Sequence, residues 1–128
     1  MTEASAPARK LTTHQKAVLI QVLLAFPRQR VAIEHVEAGD AVAYARDFET
    51  VFNAVRWDVM RLSVATAGAV DGTAGLALVV PQKRKMPAGA EALRDALRIY
   101  GIEVETIFDA TRDIAPDAFV LSVGAHPQ

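Results

Sequence analysis

His35, Glu37 and Asp40 fall close together where an apolar stretch (VAIEHV) gives way to a turn. An imidazole and two carboxylates at that spacing can ligate a divalent metal, or supply a general base and an acid. His35-x-Glu37 also matches half of the zinc deaminase pattern. The other half needs PCxxC, and the chain has 0 cysteines, so that chemistry is excluded. The plainer reading is a strand-end histidine and an aspartate capping the next helix. No catalytic residue, metal ligand or cofactor is assigned from these residues. A second group is the run Lys83-Arg84-Lys85, in the loop 82–87 just before a helix. Helix N-termini bind anions through free amides and the helix dipole, and nearby cations add to this. The loop lacks the glycines that let backbone wrap a phosphate, so neither a P-loop nor a dinucleotide fingerprint is present. Ser63 and Ser122 have no nucleophile-elbow context, and His14 and His126 lie near the ends of the sequence. Asp71-Gly72 reads as a turn.

The elements that position these groups belong to one domain of 128 residues. Hydrophobic residues are 52% and charged residues 23%, enough apolar surface to fold without disulfides. The 14 basic and 15 acidic residues leave a net charge of −1, so no global field draws the chain to nucleic acid or an acidic membrane. Arg28 and Arg30 add only a modest patch. Most aromatics fall on core-facing positions, which leaves no base-stacking platform. No nucleic acid partner is expected.

Residues 1–12 are rich in Ala, Ser, Thr and Pro and read as a flexible tail, with residues 13–128 forming the domain. A first helix is predicted from Thr13 to Ala25, capped by Thr12 or Thr13 and ended by Pro27. The run Ala17 to Phe26 is about half of what a bilayer span needs and is broken by Gln21. No membrane span is expected, and the location is expected to be cytoplasmic. Val18, Leu19, Val22, Leu23 and Phe26 recur at helical spacing, with Ile20 and Leu24 widening the stripe. So broad an apolar surface implies a helix sandwiched in the fold or packed on a partner, and makes this helix the expected surface for a homo-oligomer or protein partner.

Val31 to Val36 reads as a strand. The turn 37–40, with Gly39 and Asp40, opens a helix running to about Arg56, with Tyr44, Ala45, Phe48, Val51, Phe52 and Val55 on one face. Trp57 to Ala65 is a strand with mixed faces, as at a partly solvated sheet edge. Leu76 to Val80 is apolar on both faces, as expected of a central strand. After the basic loop, a helix runs from Ala88 to Tyr100. Gly101 sits at its left-handed terminator and Ile102 folds back on the last turn. Val104 to Phe108 is a further edge strand, marked by Glu103 and Glu105, and Phe119 to Val123 is the fifth strand.

The order α-β-α-β-β-α-β-β predicts a small three-layer α/β open sheet, mixed and five-stranded. Strands one and three then lie parallel at the centre and the crossover helices fall on opposite faces. An α+β ferredoxin-like arrangement, with strand three antiparallel between strands one and two, is the alternative. The link 66–74 is short for a parallel connection and favours it. The choice decides the site. Only in the parallel form do the turn 37–40 and the loop 82–87 share one edge, where open α/β sheets bind ligands. Lys83, Arg84 and Lys85 would then join Gly39, Asp40 and His35 around a small anionic ligand.

Several stretches carry a resemblance: DAVAYARDFETVFNAVRWDV, AGLALVV, EALRDALRIYGIEVE and VLSVGAHP. Over Arg30 to Pro127 the chain resembles a soluble α/β domain of many bacterial proteins, which often follows N-terminal transmembrane helices. This sequence departs from that context in lacking such helices. The resemblance implies a sensory, regulatory or interaction module and assigns no functional residue. The first expectation is therefore a non-enzymatic module that binds a partner protein or small ligand. A small anion- or nucleotide-binding domain comes second, and a small enzyme using His35 and Asp40 third.

Overall fold

The computed structural model describes residues 10–36, 40–64, 76–80, 86–102, 104–108 and 118–124. Its first element, α1 (Thr13–Leu23), is set before it starts. Thr12 Oγ1 accepts from the Gln15 amide at 3.1 Å, and Gln15 Oε1 accepts from the Thr12 amide at 2.9 Å, so two otherwise unpaired donors satisfy each other's residue. Leu11 is buried, and its N–H donates to Asp47 Oδ2 at 2.9 Å, while Lys16 Nζ stands 3.4 Å from Asp47 Oδ1. Leu11 and Thr12 thus both tie down the start of α1, Leu11 through Asp47 and Thr12 through Gln15.

The strands are β1 (Arg30–Val36), β2 (Asp58–Val64), β3 (Leu76–Val80), β4 (Glu105–Phe108) and β5 (Ala118–Val123). Helix α2 (Ala41–Ala54) links β1 to β2, and α3 (Ala88–Ile99) links β3 to β4. The fold is a small α/β fold with one mixed five-stranded sheet, as expected, and its order is β2-β1-β5-β3-β4. β2 and β4 lie at the two edges, where the mixed face of one and the glutamates of the other had put them. β3 is buried at every position, as a covered interior strand should be.

The wiring at the centre corrects the expectation. β1 and β3 are not neighbours. β5 lies between them, parallel to β1 and antiparallel to β3, so β3 runs opposite to β1. The ferredoxin-like alternative, with β3 between β1 and β2, is not formed either, because β1 and β2 pair directly. The physical reason lies in β5. Phe119 to Val123 is buried throughout and can occupy the covered centre as well as β3 can. A short link after β2 is also compatible with reversing direction.

The helices do not divide between the two faces. α1 packs against both α2 and α3. A single hydrophobic cluster joins Leu19 and Leu23 of α1, Phe48 and Phe52 of α2, and Leu93 and Leu97 of α3. To these it adds Val31 and Ile33 of β1, Phe119 and Leu121 of β5, and Leu76, Leu78 and Val80 of β3. The strand residues in it stand opposite one another, Ile33 beside Leu121 and Leu121 beside Leu78, and so share one face. Ala77, Val79 and Val120 are buried too but belong to the other face.

Aromatic rings fill one end of this cluster. Trp57 stacks on Phe52 with centroids 5.5 Å apart and planes 7° from parallel, and Phe119 meets both rings edge-on at 6.4 and 6.1 Å. Each such buried side chain contributes roughly 1.5–3 kcal/mol by removal from water. Trp57 reaches this place because α2 stops just before it. The Trp57 amide donates to Phe52 O and the Arg56 amide to Asn53 O, with Arg56 in the left-handed region at φ 62°. Helix α3 ends the same way. Ile102 N–H donates to Leu97 O and Gly101 N–H to Arg98 O, with Gly101 at φ 75°, as its sequence predicts.

Candidate functional site

The three parallel strands β2, β1 and β5 end on the same side of the sheet, with His35, Ser63 and Val123 in one row. This is the end at which ligands bind in open α/β sheets. His35 is buried, with Nδ1 3.3 Å from the carbonyl oxygen of Val36. Alternation along the strand puts it on the helix-packed face with Val31 and Ile33. Asp40 occupies the position before α2, and its carbonyl accepts the Tyr44 amide at 3.0 Å. Its carboxylate makes no cap hydrogen bond, contrary to the capping role expected for it. Its backbone at φ −91°, ψ 4° differs from the extended geometry in which a side chain reaches back over the first turn. Glu37 and Gly39 lie outside the described residues.

Glu34, one residue before His35, points to the opposite face. There Ser122 Oγ donates to Glu34 Oε2 at 2.9 Å across the β1–β5 pair, and both side chains are buried. A buried polar side chain costs free energy unless it is hydrogen-bonded, and this contact supplies a partner to both. The pair is flanked by Ala77 beside Ser122 and by Ala32 and Val120 one row away. It was not anticipated. The signal was present, since Glu34 interrupts the apolar alternation of VAIEHV and Ser122 is the lone polar residue of FVLSV. A polar residue at such a position must find a partner inside the sheet.

The strand that precedes the basic run finishes at the other end of the sheet. Leu76 stands in the row of Val123 and His35, and Val79 in the row of Val120 and Ala32, so β3 finishes where β1 begins. Lys83, Arg84 and Lys85 lie outside the described residues, but the strand that leads to them and the helix that follows are both placed. β3 thus finishes at the end opposite to His35 and Asp40. The parallel run of β3 and β1 on which the expected joint anion site relied is not formed, while the basic run and Gly39 themselves lie outside the described residues.

At that second end α3 begins at Pro87 with no side-chain cap. Gln29 and Trp57 pack against its first turn so closely that a Cβ on Gly89 would lie 2.4 Å from Gln29 Oε1 and 2.5 Å from Trp57 Cη2. Gln29 Oε1 and Trp57 Nε1 are both buried without a hydrogen-bond partner. The nearest described cation on α3, Arg94, is engaged within the chain. Its Nε is 3.2 Å from Asp95, its Nη2 3.7 Å from Glu91, and its Nη1 donates to Met86 Sδ at 3.6 Å.

The expected partner surface on α1 is largely used internally. Leu19 and Leu23 are wholly buried, and Val22 and Phe26 are half-buried against the core. Val18 is half-buried, and Leu24, 60% exposed, is the large apolar side chain left facing outward. No helix among the described residues is long and apolar enough to cross a membrane. Among the same residues, no group of three or more histidines and carboxylates is placed to hold a metal ion. Compared with family models, curated proteins and solved structures, the chain matches none.

Proposed function

We propose that this chain is a non-enzymatic α/β module that acts by binding a partner, in a regulatory or sensory role in the cytoplasm. The observation that supports this most is the divergence of its chemically versatile side chains. Glu34 and His35 are adjacent in sequence, buried, and on opposite faces of the sheet. A general acid and base must reach one substrate from one side, and this pair does not. The polar groups serve the fold instead, Ser122 satisfying Glu34 across two strands.

A second reading, a small anion-binding domain, draws on the uncapped first turn of α3 directly after Lys83-Arg84-Lys85. One screen separates the two. Melting temperature is measured with nucleotides, phosphorylated metabolites and inorganic phosphate, since a ligand that binds only the folded state raises it. The interaction-module reading expects no shift. A rise that disappears in the Lys83→Ala/Lys85→Ala variant replaces it with the anion-binding reading.

A further inference from the structure

We propose that the outer edge of β2 is the interface through which two copies of this chain associate, joining their sheets edge to edge. The Asp58 amide donates to the Gln29 carbonyl, which fixes the phase of the parallel β1–β2 ladder. Asp58, Met60, Leu62 and Val64 turn their backbone groups toward β1. Val59, Arg61 and Ser63 turn theirs away from it, at the edge of the sheet formed by the described residues.

Those three outward residues are spaced symmetrically about Arg61. A second copy laid antiparallel across a two-fold axis through Arg61 sets Arg61 opposite Arg61, and Val59 opposite Ser63 in both directions. Every outward N–H and C=O of the strand then meets one from the other copy. Val59 and Ser63 become hydrogen-bonded pairs, and Met60 stands at the closer non-hydrogen-bonded position facing residue 62. Met60 is 61% exposed in the single chain, so the pairing covers an apolar side chain that the fold leaves in water.

Edge strands of isolated domains are normally protected by Lys, Pro, bulges or unpaired charge. β2 (DVMRLSV) contains no Lys, Pro or Gly. Its two charges are neutralised inside the chain, Arg61 by Glu49 at 3.0 Å and Asp58 by Arg28 at 2.8 Å. The self-opposition of Arg61 in the dimer therefore brings together two ion pairs rather than two bare cations. At the other edge β4 has four residues and begins with an exposed glutamate, so it offers a shorter ladder.

The proposal does not depend on the module's partner or ligand. It is tested by light scattering coupled to size exclusion over a concentration series, on the wild type and three variants. Met60→Lys places a charge at the covered position. Arg61→Pro removes one outward donor without touching the ladder to β1, the one kind of strand site where proline is tolerated. Leu24→Lys alters the apolar side chain exposed on α1. The expected result is a wild-type mass rising to twice that of the chain, halved in Met60→Lys and Arg61→Pro and unchanged in Leu24→Lys. If Arg61→Pro fails to fold, Met60→Lys carries the test alone, because its side chain is exposed. A wild type that stays at single-chain mass throughout overturns the proposal. So does a doubled mass that survives Met60→Lys or is lost in Leu24→Lys.

Discussion

β1, α2 and β2 make a parallel strand pair with a helix between, and β3, α3 and β4 make another. Both helices end on a left-handed residue with the same two closing hydrogen bonds. In the second half that residue is Gly101, which adopts the conformation freely. In the first it is Arg56, whose Cβ disfavours it by about 1–2 kcal/mol. The two helices stop for different reasons. α3 stops because its sequence supplies a terminator. α2 stops because Trp57 stacks on Phe52 and meets Phe119 edge-on, and that packing holds Arg56 in place. The first half is organised by large rings, the second by small residues that permit close approach, Gly89 above all.

The largest way to break the contrast is to remove a ring. Phe52→Ala is expected to cost about 3–5 kcal/mol in chemical denaturation and to disturb the fluorescence of Trp57, the only tryptophan. Leu97→Ala, in the second half, is expected to cost about 2–5 kcal/mol while leaving that fluorescence native-like. Next comes Gly89→Ala. Its methyl group would intrude on Gln29 and Trp57, and the expected loss is about 1–3 kcal/mol, against the gain that alanine usually brings to a helix. Ser122→Ala leaves the buried Glu34 carboxylate short of a donor and is expected to cost about 1–3 kcal/mol, with the melting temperature falling accordingly. The smallest pair has opposite signs. Arg56→Gly relieves the left-handed strain of about 1–2 kcal/mol at an entropic cost of about 0.5–1 kcal/mol, and is expected to stabilise slightly. Gly101→Ala reverses that balance and is expected to destabilise by a similar amount, since no atom lies near its added methyl. Equal signs for the two would remove the contrast.

Local pattern made the elements and their covered faces legible. The stripe from Tyr44 to Phe52, the terminator at Gly101 and the edge character of β2 and β4 all follow from residues near in sequence. The central order was not legible. β3 and β5 are both apolar enough for a covered interior position, and which of them pairs with β1 depends on chain connection and burial summed over the whole sheet. The site suffered from that single uncertainty. His35, Asp40 and the run Lys83 to Lys85 were each visible, but their meeting required a strand direction that no local pattern encodes. Glu34 and Ser122 are 88 residues apart and pair only because β5 adjoins β1.

Everything said of the site rests on β5 lying between β1 and β3, with β3 reversed. Nuclear Overhauser contacts between backbone protons test this directly. The fold requires cross-strand contacts for Leu78 with Leu121, Ala77 with Ser122 and Ile33 with Leu121, and none between β1 and β3. Backbone contacts between Val31–Val36 and Leu76–Val80 in a parallel pattern would contradict it.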